Sequence, residues 1–209
     1  MELILNPMEI EKKSFEIISE RLKGREPDKD KEDIIKRAIH TSADFDYADN
    51  LYFSEGAVEK GLSALDNNAT IITDTAMALS GISKPALKAL GCRAVCFMSD
   101  PDVAAEAKER GITRAMVSME RACEIKGEVI FAIGNAPTAL LNINDLCKEG
   151  RLSSSLIIGV PVGFVNVVEA KEIIIESGLP CIVARGNKGG SNIAAAICNA
   201  LLYRKYRRE

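Results

Sequence analysis

Five short apolar runs constrain this chain more than any other feature: ATIIT (69–73), RAVCFM (93–98), EVIFAI (128–133), SLIIGV (155–160) and PCIVAR (180–185). Each has few polar breaks, as expected for strands covered on both faces. Between them lie longer stretches with helical ends. In SDPDVAAEAKERG, Ser99 or Asp100 can cap, Pro101 sits near the first helical position and Gly111 acts as a stop. SNIAAAICNALLYRKYRR reads as a long last helix. The alternation predicts an α/β fold, with a mainly parallel five-stranded sheet flanked by helices. At 209 residues, one hydrophobic core in a single domain over 1–209 is the expected organisation.

Ahead of the first strand the pattern is helical. Residues 8–23 set Ile10, Phe15, Ile17, Ile18 and Leu22 against Glu and Lys, an amphipathic stripe that Gly24 can end. Asp30 or Asp33 is then expected to cap a second helix carrying Ile34, Ile35, Ala38, Ile39 and finally His40. No internal repeat or low-complexity segment interrupts the chain. The basic YRKYRR end reads as a solvated helix terminus, favourable to the helix dipole.

Composition removes several function classes. A net charge of −3, 5% aromatics and no Trp argue against a nucleic-acid binder. The six cysteines form no C-x-x-C pair, and one histidine cannot complete a zinc pattern. They sit mostly in apolar runs and read as buried free thiols in a reducing cytosol. The start MELILNPMEIEKK has no basic segment followed by an apolar core, and no apolar run approaches the roughly 20 residues that span a bilayer. The expected setting is cytoplasmic, without membrane contact.

Sites in parallel sheets form where strands end and loops begin. Four of the five runs end in small, polar or Gly/Pro-rich loops: DTAMALSGIS, GNAPTALL, PVGFVNVVEAK and GNKGGSN. Backbone N–H groups at such helix starts bind carboxylates or phosphates. Arg114, Lys171, Arg185 and Lys188 are candidates for charge-assisted contacts. GNKGGS is not a phosphate loop, because its lysine precedes the glycine pair; G-x-G-x-x-G and G-x-S-x-G are both absent. His40 is the chain's only imidazole, the side chain whose ordinary charge change falls near neutral pH. Read from the residues alone, it is either an acid/base or a structural residue at a helix edge. Lys36 and Arg37 would disfavour its charged form and Asp44 would favour it.

Taken together, AIHTSADF, ITDTAMALSGIS, the TRAM segment around Arg114, FAIGNAPTAL, GVPVGFVNVVEAK and VARGNKGGSNIAAA resemble the precorrin-8X methylmutase family, including its cobalt-precorrin-8 form. FAIGNAPTAL followed by GVPVGFV is specific in combination, and the likeness covers nearly the whole chain. It implies an isomerase of corrin biosynthesis that moves a methyl group from carbon 11 to carbon 12 of a tetrapyrrole poly-carboxylate. It implies His40 as the acid, with Ser14, Thr41, Ser83, Arg114, Gly134, Asn135, Lys171, Arg185 and Gly186 binding substrate, and Asp74 and Glu169 orienting donors. It implies no protein-held metal or cofactor, since any cobalt belongs to the substrate, and a homodimer with the site near the subunit interface. Two rivals remain at this point: a non-catalytic tetrapyrrole carrier and an α/β enzyme acting on a phosphorylated metabolite.

Overall fold

A computed structural model describes residues 3–206. The chain opens with α1 (Pro7–Arg21), α2 (Glu32–Ser42) and the short α3 (Tyr47–Asn50), then enters the sheet at β1 (Leu51–Phe53). After α4 (Ala57–Asp66) come β2 (Thr70–Thr73), α5 (Ala76–Gly81), α6 (Lys84–Ala89) and β3 (Arg93–Val95). Helices α7 (Pro101–Arg110) and α8 (Arg114–Glu120) lead to β4 (Val129–Ile133). The pairs α9 (Pro137–Lys148) with β5 (Leu156–Gly159) and α10 (Val167–Glu176) with β6 (Cys181–Ala184) follow, and α11 (Ser191–Lys205) ends the fold.

The sheet has six strands in the order β1-β6-β5-β4-β2-β3. All five expected strands are present and mutually parallel. The sixth corrects the expected count: β1 pairs antiparallel with β6, Leu51 opposite Ala184. Three residues are too few to show a period of two, so only the pairing defines this strand.

The strands' residues alternate between two cores. Ile71, Ile130, Ile158 and Ile182 face one layer, built with α1, α2, α4 and α11. Ile72, Phe131, Ile157 and Val183 face the other, built with α8, α9 and α10. Both faces are dry, which is why the runs carry no polar alternation. Burying Phe131 fully contributes about 1.5–3 kcal/mol by the usual area relation. Helix α11 is enclosed on most of its circumference, with Ile193 to Ile197 and Ala200 to Leu202 buried.

Several local expectations change. Asn6 caps α1, accepting from Met8 and Glu9. Only Ile18 and Leu22 of the α1 stripe reach the core, while Ile10 and Ile17 stay exposed. Neither Asp30 nor Asp33 caps α2; Asp33 lies in its first turn and pairs with Arg204 of α11. The basic end is therefore not simply solvated: Arg204 clamps the start of α2 and Lys205 pairs with Asp66 at 2.6 Å. Residues 207–209 of that basic segment lie outside the described residues. Of the six cysteines, all free, Cys92, Cys181 and Cys198 are buried and the other three half-buried.

Candidate active site

The chain runs from β2 outward to β3, then returns across β2 to β4. The strand order reverses there, the place where ligand crevices form in open α/β sheets. Asp74, the residue after β2, reaches across to the loop after β4. Its carboxylate is 1% exposed and accepts from the backbone N–H groups of Gly134 (2.9 Å), Asn135 (2.7 Å) and Ala136 (2.6 Å). Burial pushes this carboxyl above its ordinary range, and the three donors pull against that shift. Asp74 thus orients donors, but they point at Asp74 itself. The N–H groups of Gly134 and Asn135 are not open to an external anion, contrary to the expectation from GNAPTALL. Gly134 is small for packing: a Cβ there would stand 2.6 Å from the Ser191 Cα.

Lys171 requires the clearest correction. Expected as a cation on the rim, it lies on α10 with 0% exposure. Its ammonium donates to the carbonyls of Gly186 (2.6 Å) and Lys188 (2.8 Å), and burial lowers its pKa to about 8. It fastens the RGNKGG loop from beneath. The same loop approaches β5 so closely that a Cβ on Gly189 would stand 2.1 Å from the Val160 carbonyl oxygen. Its glycines serve backbone contact. Asn187 ties it to Gly163 in the neighbouring loop, donating from its side-chain amide at 2.7 Å. Lys188 reaches outward to Asp44 (2.5 Å) and Asp46 (2.6 Å), just past the end of α2.

Of the other rim candidates, Arg114, Asn135 and Arg185 are exposed, and Ser83 and Gly186 are half-buried. Arg114 opens α8 behind the Thr113 cap, and Thr113 meets Thr138 of α9 at 3.1 Å. Arg185 lies over the Tyr52 ring and 3.5 Å from Glu172. The Asn135 side chain faces solvent and Gly186 turns with φ +75°. Glu169 is exposed in the first turn of α10 and holds no donor among the described residues. Ser83 caps α6 and sits in a groove with Asn199 and Tyr203, away from the strand ends.

His40 is on the last turn of α2, exposed, and lines a pocket of about 280 Å³ with Ser14, Ile17, Ile18, Arg21 and Phe45. Thr41 is exposed beside it. Its imidazole stacks on Phe15, centroids 5.3 Å apart and planes 17° from parallel. Of the neighbouring charges, Lys36 pairs with Glu32, Arg37 with Glu11 and Asp44 with Lys188, while Arg21 of the same pocket lies over the Phe45 ring. The structure thus brings Ser14, at the middle of α1, beside His40 and Thr41 in the last turn of α2. Asn135, Arg185 and Gly186 stand with Arg114 around the strand ends. Neither Phe15 nor the three-donor role of Asp74 could be assigned from the sequence, since both depend on which segments meet.

A family model for precorrin-8X methylmutase matches residues 9–204. The chain belongs to that family. It is 46% identical over 209 residues to a cobalt-precorrin-8 methylmutase of Salmonella typhimurium, covering 97% of this chain and 98% of that protein. It is 40% identical to a precorrin-8X methylmutase of Pseudomonas aeruginosa, with 82% and 83% of the two chains covered. The solved precorrin-8X methylmutase of Thermus thermophilus superposes with a TM-score of 0.84 at 36% identity, over 92% of this chain and 95% of the other. The methylmutases therefore share both this sequence pattern and this fold, and the chain is an intramolecular transferase of corrin biosynthesis.

Proposed function

We propose that the chain, as one functional domain over 1–209, moves a methyl group from carbon 11 to carbon 12 of precorrin-8X or cobalt-precorrin-8 with His40 as the acid. Family membership supports the reaction; the exposed imidazole in a pocket with Ser14 supports the role of His40. The carbon 11–methyl bond breaks, the carbon 12–methyl bond forms, and the product is an isomer. A proton given by His40 to the macrocycle near ring C makes the ring a better electron sink while the methyl migrates. Because the formula does not change, that proton is returned at the end. General acid catalysis supplies about 10²–10⁴-fold, and the remainder comes from holding the ring in one geometry. Any cobalt is bound by the macrocycle's own nitrogens and travels as substrate.

The pocket on one chain is small for this cargo. Its 280 Å³ is at the lower edge of the roughly 300–1,000 Å³ that hold a drug-sized ligand, and a tetrapyrrole with its carboxylate arms is larger. Apolar side chains stand uncovered near it and near the strand ends: Met8 and Ile17 on α1, Met77 on α5, and Val162, Phe164 and Val165 after β5. Phe164 is 89% exposed. A homodimer that covers these faces closes the pocket and brings a second set of rim cations, with Arg114 and Arg185 meeting the substrate's carboxylates. The setting we assign is the cytoplasm; among the described residues, no helix is long and apolar enough to cross a membrane.

The test is a visible-spectrum assay with precorrin-8X and its cobalt complex, wild type beside His40→Ala. Wild type converts at least one of them, and His40→Ala falls about 10²–10⁴-fold while still binding product. Binding without conversion by the wild type identifies a carrier instead. Equal turnover by His40→Ala removes the histidine from the mechanism.

A further inference from the structure

His40 is held in an unusual way for an acid/base. Histidines in such roles are commonly oriented by a hydrogen bond to one ring nitrogen, which also fixes the tautomer. Here, among the described residues, no side chain hydrogen-bonds either nitrogen of His40. What fixes the ring is its face. Phe15 of α1 lies against it at 5.3 Å and 17° from parallel, an offset-stacked geometry. Phe15 is itself fixed. Arg37, one turn before His40 on α2, stands 5.2 Å from the centre of the Phe15 ring. That guanidinium also lies 4.9 Å from the Tyr203 ring of α11 and 3.2 Å from the Glu11 carboxylate of α1. The stack therefore draws on three helices, α1, α2 and α11, and ends on the imidazole.

We propose that Phe15 is the positioning residue for His40. It sets the plane of the imidazole through the ring face and leaves both nitrogens clear, so that one can meet the macrocycle and the other can exchange its proton with solvent. A hydrogen-bonded orienter would occupy one of those two edges. Arg37 acts one step further out, holding the phenyl plate against α2. The role rests on the reading of His40 as the acid, and the experiment separates the two.

Because the chain has one histidine, its imidazole gives a single set of carbon-bound proton signals in an NMR spectrum of the full-length protein. In the wild type these signals are displaced upfield by the phenyl ring current. Phe15→Leu removes that displacement, and Phe15→Tyr retains it. In turnover, Phe15→Leu lowers kcat by about 3–10-fold, the size expected for losing one aromatic pair. KM and product affinity stay within about 2-fold, and Phe15→Tyr recovers the wild-type kcat. Three results would overturn the proposal: no ring-current displacement in the wild type, unchanged kcat in Phe15→Leu, or a rise in KM alone, which would make Phe15 a substrate contact. His40→Ala run in parallel keeps the readings apart. Full activity there removes the acid itself, whereas an inactive His40→Ala beside a fully active Phe15→Leu leaves the acid and removes only its positioning. If Phe15→Leu fails to fold, Arg37→Gln replaces it and is read by the same ring-current displacement and kcat.

Discussion

The strand-end loops and the His40 end of α2, where it packs on α1, are built on opposite plans. In the loops the polar groups are matched internally. Asp74 takes three N–H groups of the GNA turn, and Lys171 takes two carbonyls of the RGNKGG turn. Both charges are buried, so the loops cannot shift without exposing or orphaning them. At the His40 end the imidazole is exposed, rests on a phenyl face and lines a small pocket. The first plan fixes the shape of the loops; the second leaves the imidazole free for the acid role we propose for it. The Lys188 pairs with Asp44 and Asp46 join the two, and exposed ion pairs of this kind are worth little individually.

The largest effect should come from breaking the rigid half. Asp74→Ala leaves three backbone donors without their acceptor and should lower stability by about 3–5 kcal/mol, read as a shift of the denaturant midpoint at constant slope. A loss under about 1 kcal/mol would mean that the loop holds itself.

A somewhat smaller effect tests Lys171 through pH. Its folded pKa, about 8, is below the ordinary 10.5 of a lysine, so the unfolded chain binds the extra proton between those values. Stability contributed at this position therefore rises as pH climbs from about 8 to about 10.5, by about 3 kcal/mol, and is flat below pH 8. Subtracting the pH–stability curve of Lys171→Met from that of the wild type isolates the rise. A flat difference would show that the ammonium is not deprotonated in the fold.

The smallest effect sharpens the open half. Ile17 is exposed beside the His40 pocket, so Ile17→Ser should change stability measured at high dilution by no more than about 0.5 kcal/mol. If a second chain covers this face, the same variant should shift sedimentation toward the monomer. A wild type that is monomeric at every concentration would leave the pocket open and the second wall unsupplied.

Much of the fold was legible because hydrophobic burial leaves a local trace. Five apolar runs became five parallel strands, Gly111 closed α7 with φ +64° and Pro101 opened it. The antiparallel β1 left too short a trace and exists only through its pairing with β6. The site was legible in a different sense. His40 stood out as the one imidazole, and the family resemblance gave it a role. The direction of each charged side chain was not legible. Lys171 occupies a position that sequence reading places on a rim, yet it is sealed inside, because a loop 15 to 17 residues further on folds back to present carbonyls to it.

By itself, then, the sequence determined the strand and helix alternation and the family, and it singled out His40 as the acid we propose, all carried by residue type and spacing along the chain. Tertiary structure alone decided which polar groups face one another. Asp74 meets the GNA turn across 60 residues of chain, Lys188 meets Asp44 across 144, and Phe15 meets His40 between two helices. Such contacts follow from the packing of whole elements, which no local pattern encodes.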